Sequence, residues 1–160
     1  MRVDIYTDGA ARGNPGRGGY GSVLCYQSPS GKTHMLELSR GYQCTTNNRM
    51  ELMGVIAAIE ALKQPCELVV HSDSQYVVRA FTERWIDAWQ AKGWKTASKQ
   101  PVKNVDLWKR LLAVMNQHEV RFVWVKGHAG HPLNERCDSL ATQAADGDEL
   151  LVDTGFRAEM

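Results

Sequence analysis

The sequence predicts an α/β fold: a five-stranded mixed sheet, an antiparallel meander followed by parallel strands, flanked by helices. Three observations predict it. The opening third carries three β-patterned runs joined by short turns, and short turns permit only antiparallel pairing. Two later apolar runs are each separated by amphipathic stretches, which requires parallel strands with right-handed crossovers. The chain has 160 residues, 43% apolar and 23% charged, enough to bury one core without staples.

Residues 2–8 alternate Val3, Ile5 and Thr7 with Asp4, Tyr6 and Asp8 and read as a strand. A glycine-rich turn follows from Gly9 to Gly19, with Pro15 fixing one φ. Strands at 20–27 and 33–42 are joined by Ser28-Pro29-Ser30-Gly31. The polar cluster Thr45-Thr46-Asn47-Asn48 caps a helix carrying Met50, Met53, Ile56 and Leu62, and Pro65 stops it. Residues 67–72 form a strand ending at Asp73, and Ser74 caps one helix running through Tyr76, Phe81, Trp85 and Trp89 to Gly93. A short helix spans 106–117, a strand 120–125 and a last helix 134–145. Residues 1–145 read as one catalytic domain. Residues 146–160 lose their periodicity and read as a partly mobile tail of the same domain.

Composition narrows the function classes. Nineteen Lys and Arg against eighteen Asp and Glu leave +1, so net charge selects no partner. The acids Asp4 and Asp8 interrupt any export signal, and no run approaches the roughly 18 apolar residues of a membrane span. Four scattered cysteines without a CxxC pair read as reduced thiols, so the expectation is a cytoplasmic protein with no membrane partner.

The acids lie at informative places. Asp8 and Asp73 end apolar strands, the edge where open α/β sheets form ligand sites. Glu51 and Asp138 lie early in helices. Taken singly, each acid has a structural reading: Asx turn, helix cap, dipole partner, or ion pair with Arg136. Taken together they lack four neighbouring cations, and an all-oxygen set suits Mg²⁺ or Mn²⁺. A rival set, His128, His131 and Cys137, offers zinc three ligands at irregular spacing and no fourth. His128, on a glycine-flanked loop, is better suited to moving a proton.

Between Arg79 and Arg110 eight cations face three acids, whereas from Glu135 onward seven acids face two cations. Trp85, Trp89 and Trp94 lie within the basic stretch. Cations for phosphates and aromatic faces for bases or sugars make a nucleic-acid surface, and a packed helical face is the competing reading.

These residues together resemble the bacterial type 1 ribonucleases H. The matching pieces include Tyr6-Thr7-Asp8-Gly9, Gly13-Asn14-Pro15-Gly16, Thr45-Thr46-Asn47-Asn48-Arg49-Met50-Glu51, Ser72-Asp73-Ser74-Gln75, Gly93-Trp94-Lys95-Thr96, Gly127-His128-Ala129-Gly130-His131 and Asn134-Glu135-Arg136-Cys137-Asp138. The resemblance implies a ribonuclease H-like fold and a monomeric endoribonuclease cutting the RNA strand of RNA–DNA hybrids to 5′-phosphate and 3′-hydroxyl ends. It implies Mg²⁺, with Mn²⁺ as substitute and up to two ions with substrate, held by Asp8, Glu51, Asp73 and Asp138, with His128 assisting proton transfer or product departure. It also implies that Asn14, Asn47, Asn48 and Gln75 contact the hybrid near its minor groove and that Thr46 and Asn104 hold a DNA phosphate. The stretch with Trp85, Trp89, Lys92, Trp94, Lys95, Lys99 and Lys103 becomes a substrate handle. Cys44 and the acids Glu83 and Asp87 depart from the family pattern and imply weaker hybrid affinity. The alternatives are a non-catalytic hybrid- or double-stranded-RNA-binding module and a DNA-processing nuclease of the same fold.

Overall fold

The computed structural model describes residues 1–126 and 131–156. Strands β1 (Arg2–Ala11), β2 (Gly16–Gln27) and β3 (Thr33–Thr45) form the antiparallel meander. Helix α1 (Asn47–Glu60) leads into β4 (Glu67–Ser72), then come α2 (Gln75–Thr82), α3 (Trp85–Ala91), α4 (Val105–Met115), β5 (Glu119–Trp124), α5 (Pro132–Asp146) and β6 (Leu150–Leu151). The sheet order is β5-β4-β1-β2-β3-β6. β4 lies parallel to β1 and β5 parallel to β4, as crossovers through helices require.

Three expectations are corrected. The turn expected over Gly9–Gly19 narrows to residues 12–15, because β1 runs to Ala11, β2 starts at Gly16, and Gly9, Ala10 and Ala11 pair with Tyr20, Gly19 and Gly18. The sheet has six strands, because Leu150 and Leu151 pair parallel with Gly41 and Tyr42 of β3. A two-residue strand carries too little alternation to be read from sequence, and it lies in the segment read as a tail. The single helix expected from Ser74 to Gly93 is two. Arg84 adopts φ 59°, a left-handed conformation in which a right-handed helix cannot continue. The break preserves the four-residue spacing of Phe81, Trp85 and Trp89, so periodicity does not reveal it.

The two faces of the sheet carry different layers. Val3, Ile5, Leu68 and Val70 are fully buried with Val55, Ile56 and Ile59 of α1 and with Trp108 and Leu111 of α4. On the opposite face α5 lies directly on β2, close enough that a Cβ at Gly21 would collide with the Cys137 carbonyl. Among the described residues no helix is long and apolar enough to cross a membrane.

A buried cation ties α1 to α4 and to the C-terminal segment. Arg49, 2% exposed on the first turn of α1, donates through Nε and Nη2 to Asp153 at 2.7 and 2.9 Å. Nη1 and Nη2 donate to Asp106 at 2.9 and 2.7 Å. Burial works against the Arg49 charge, but these charge-assisted bonds outweigh it and raise its pKa. Removing the cation strands the Asp153 carboxylate, which is itself buried. Arg49→Met is expected to lower stability by about 3 kcal/mol, read as a fall in urea midpoint at unchanged m-value.

Candidate active site

The site begins with backbone contact. β1 runs onto the start of α1 so closely that a Cβ at Gly9 would lie 2.5 Å from the Glu51 amide nitrogen. Glycine at that position lets the strand end meet the helix, and the adjacent Asp8 is brought beside Glu51. β4 then supplies the third acid: Thr7 pairs with Ser72, so the next residues on the two parallel strands, Asp8 and Asp73, emerge together. One oxygen from each of Asp8, Glu51 and Asp73 lies within 4.8 Å of the other two.

Asp8 is 6% and Glu51 5% exposed, so solvent does little to screen their repulsion. Burial first, then the charges of Asp73 and Asp138, push the Asp8 carboxyl up to about 7, although the Gly9 amide donates to it at 2.9 Å. Burial, followed by the charges of Asp8 and Asp73, raises Glu51 well above the carboxylate range. Among the described residues Glu51 Oε2 is buried without a hydrogen-bond partner. A buried acceptor left unsatisfied among like charges is an unfavourable arrangement that a cation corrects. The donors are all carboxylate oxygens, the set preferred by hard divalent ions. The residues present therefore fit a hard divalent cation.

The other expected residues divide by place. Asp138 on α5 is exposed and lies outside the tight triad, yet its charge is felt at Asp8. His128 lies outside the described residues. Thr46 caps α1, accepting from the Arg49 amide at 3.3 Å, and the Asn47 amide donates to Asn14 Oδ1 at 3.2 Å. Asn14, Thr46, Asn48, Lys103 and Asn104 line one groove, while Gln75 is exposed at the start of α2. Lys92, Lys95, Lys99 and Lys103 are exposed. The tryptophans are half-buried against the core: Trp89 lies 5.4 Å from Trp108 and 6.3 Å from Trp85, and Lys109 stands over Trp94 at 5.8 Å. The rings fasten the basic segment and leave its lysines outward.

The described members of the rival zinc set, His131 and Cys137, have other roles. Cys137 is fully buried against β2, and burial pushes its thiol up to about 12, far from a thiolate ligand. His131 accepts from the Asn134 amide as the cap of α5. Sequence reasoning assigned no role to Arg49 or to Tyr76, whose hydroxyl accepts from Asn104 and Trp108, both at 3.1 Å. A lone arginine beside Met50 in a buried helical turn was the available signal for Arg49.

Comparison with known proteins agrees with this geometry. The family model described as RNase H matches residues 1–146. The chain is 64% identical over 154 residues to the ribonuclease H of Lachnoclostridium phytofermentans, covering 96% of this chain and 98% of that one. It is 56% identical over 158 residues to the ribonuclease H of Salmonella arizonae, covering 99% and 97%. Among solved structures, LC9-RNase H1, described as a type 1 RNase H with the type 2 active-site motif, superposes with a TM-score of 0.82 at 36% identity, covering 96% and 78%. LC11-RNase H1 in complex with RNA/DNA hybrid superposes with a TM-score of 0.67 at 28% identity, covering 90% and 96%.

The raised Asp8 pKa fixes a sign. The folded state binds this proton more tightly than the unfolded chain, so stability falls as pH rises from about 4 to about 7. In metal-free buffer, Asp8→Asn is expected to raise Tm by about 3 °C or more at pH 8 and to leave it nearly unchanged at pH 4. Thermal melts at the two pH values, repeated with Mg²⁺, check this; Mg²⁺ is expected to stabilise the unsubstituted protein at pH 8 more than the variant.

Proposed function

The chain belongs to the ribonuclease H family and hydrolyses the RNA strand of RNA–DNA hybrids, and we propose that Asp8, Glu51, Asp73 and Asp138 hold the divalent cations on which that reaction depends. The observation that carries this reading is the triad with its buried Glu51 oxygen, which has no hydrogen-bond partner among the described residues. When bound, such ions lower the pKa of water and neutralise charge at the scissile phosphate. Mg²⁺ is the proposed ion and Mn²⁺ its substitute.

The chain's own residues do the rest. Hydrolysis adds a water oxygen to phosphorus and breaks the P–O3′ bond, leaving a 5′-phosphate and a 3′-hydroxyl. Asn14, Asn47, Asn48 and Gln75 offer amides that both donate and accept, as a 2′-hydroxyl does, so they read the RNA strand by its sugar rather than its bases. Thr46 and Asn104 hold a phosphate of the DNA strand. Lys92, Lys95, Lys99 and Lys103, on a segment braced by Trp85, Trp89 and Trp94, draw the hybrid in by its charge. His128 moves a proton as product leaves. Residues 1–145 carry the chemistry and 146–160 complete the same domain. The working form is a cytoplasmic monomer.

Hybrid-cleavage kinetics test these roles. Asp73→Asn is expected to reduce kcat at least a thousandfold with native circular dichroism, and His128→Ala about a hundredfold, the lower end of the range of a positioned acid–base group. Near-normal turnover by Asp73→Asn defeats the metal-site reading. The double substitution Lys95→Ala, Lys99→Ala is expected to raise KM and to flatten the dependence of log KM on log salt by about two phosphate contacts.

A further inference from the structure

A second concentration of buried charge reaches the groove proposed to take the hybrid. This groove, of about 790 Å³, has Thr46, Asn48, Arg49 and Asn104 on its walls, together with Gly155 from the C-terminal segment. Asn104 precedes α4 with φ 59°, and its side chain makes no capping bond to that helix. The amide is pinned at both ends instead. Oδ1 accepts from Arg49 Nη1 at 3.3 Å, and Nδ2 donates to Tyr76 Oη at 3.1 Å. The two bonds decide which end is oxygen and which nitrogen, so the second N–H of the amide has a fixed direction.

Arg49 is in turn held from the C-terminal segment. Asp153 accepts from its Nε and Nη2, and the same carboxylate accepts from Thr45 Oγ1 at 2.7 Å, one residue before Thr46. Gly155 then passes over the Arg49–Asp106 ion pair so closely that a Cβ there would lie 1.9 Å from Asp106 Oδ2 and 2.8 Å from Arg49 Nη2. Any side chain at Gly155 must push the pair aside. Asp153 and Gly155 thus reach both groove residues, Thr46 and Asn104, through single intermediates.

We infer that residues 153–155 are a positioning element for hybrid binding: Asp153 anchors Arg49, Gly155 closes over the Arg49–Asp106 ion pair, and Arg49 fixes the Asn104 amide in the orientation that takes a nucleic-acid phosphate. The inference rests on the reading of Asn104 as a phosphate contact. A purely structural ion network would alter stability and leave substrate affinity alone. A positioning network alters KM at temperatures where every variant is folded.

Steady-state cleavage of an RNA–DNA hybrid by the full chain, well below Tm, separates the two. Asp153→Asn and Gly155→Ala are each expected to raise KM about tenfold, the scale of one lost hydrogen bond to a charged group, with kcat within twofold. Gly155→Ala keeps every charge and serves where Asp153→Asn does not fold. Asn104→Ala is expected to raise KM similarly, and combining it with Asp153→Asn to add less than twofold, because both remove one contact. Lowered Tm with KM unchanged in Asp153→Asn and Gly155→Ala overturns the inference, as do multiplicative effects in the double variant. If Asn104→Ala itself leaves KM unchanged, the phosphate contact fails and the inference falls with it, an outcome distinct from failure of the C-terminal variants alone.

Discussion

Holding Asp8, Glu51 and Asp73 within 4.8 Å of one another opposes folding, since like charges at that distance repel strongly once water is removed. The rest of the structure is arranged around sustaining that repulsion. Two parallel strands deliver Asp8 and Asp73 side by side, and the absent side chain of Gly9 lets α1 bring Glu51 against them. A fully buried layer beneath, Val3, Ile5, Leu68 and Val70 against α1, supplies hydrophobic stabilisation that offsets the electrostatic cost. The same unfavourable arrangement makes the corner receptive to a cation.

The buried charge of Arg49 is treated in the opposite way. Arg49 is as deeply buried as Asp8 and Glu51, but its guanidinium donates to the carboxylates of Asp106 and Asp153 and to the side-chain amide of Asn104. A satisfied charge rigidifies its surroundings, whereas a frustrated cluster attracts a ligand. Arg49 and Glu51 stand two residues apart in the opening turns of α1. The helix start therefore joins the cation site to the wall of the substrate groove.

Surface charge completes the division of labour. Lysines stand outward on a segment whose tryptophans are turned into the core, so the aromatic groups give rigidity and the cations give reach. The acidic C-terminal stretch is partly neutralised from the start of the chain, where Arg12 makes a bidentate pair with Asp146 and Arg17 donates to the Gly147 carbonyl. A near-neutral total thus conceals a directional field suited to a polyanion.

Much of this was legible in the residues. Alternation in 2–8, the caps at Thr46 and Ser74, and acids closing the strands at Asp8 and Asp73 report local preferences that act within a few positions, and the structure follows them. Local pattern could not reveal the sixth strand, whose two leucines pair only because β3 offers an edge, nor the break at Arg84, across which spacing is preserved. It also could not show that Trp89 faces Trp108, or that Arg49 finds Asp153 more than a hundred residues away. The sequence by itself determined the order of elements and the chemistry of the acids at their ends, because those depend on neighbours along the chain. Only the tertiary structure decided which of those acids meet, which charges are satisfied and which repel one another, because burial and distance are properties of packing between segments remote in sequence.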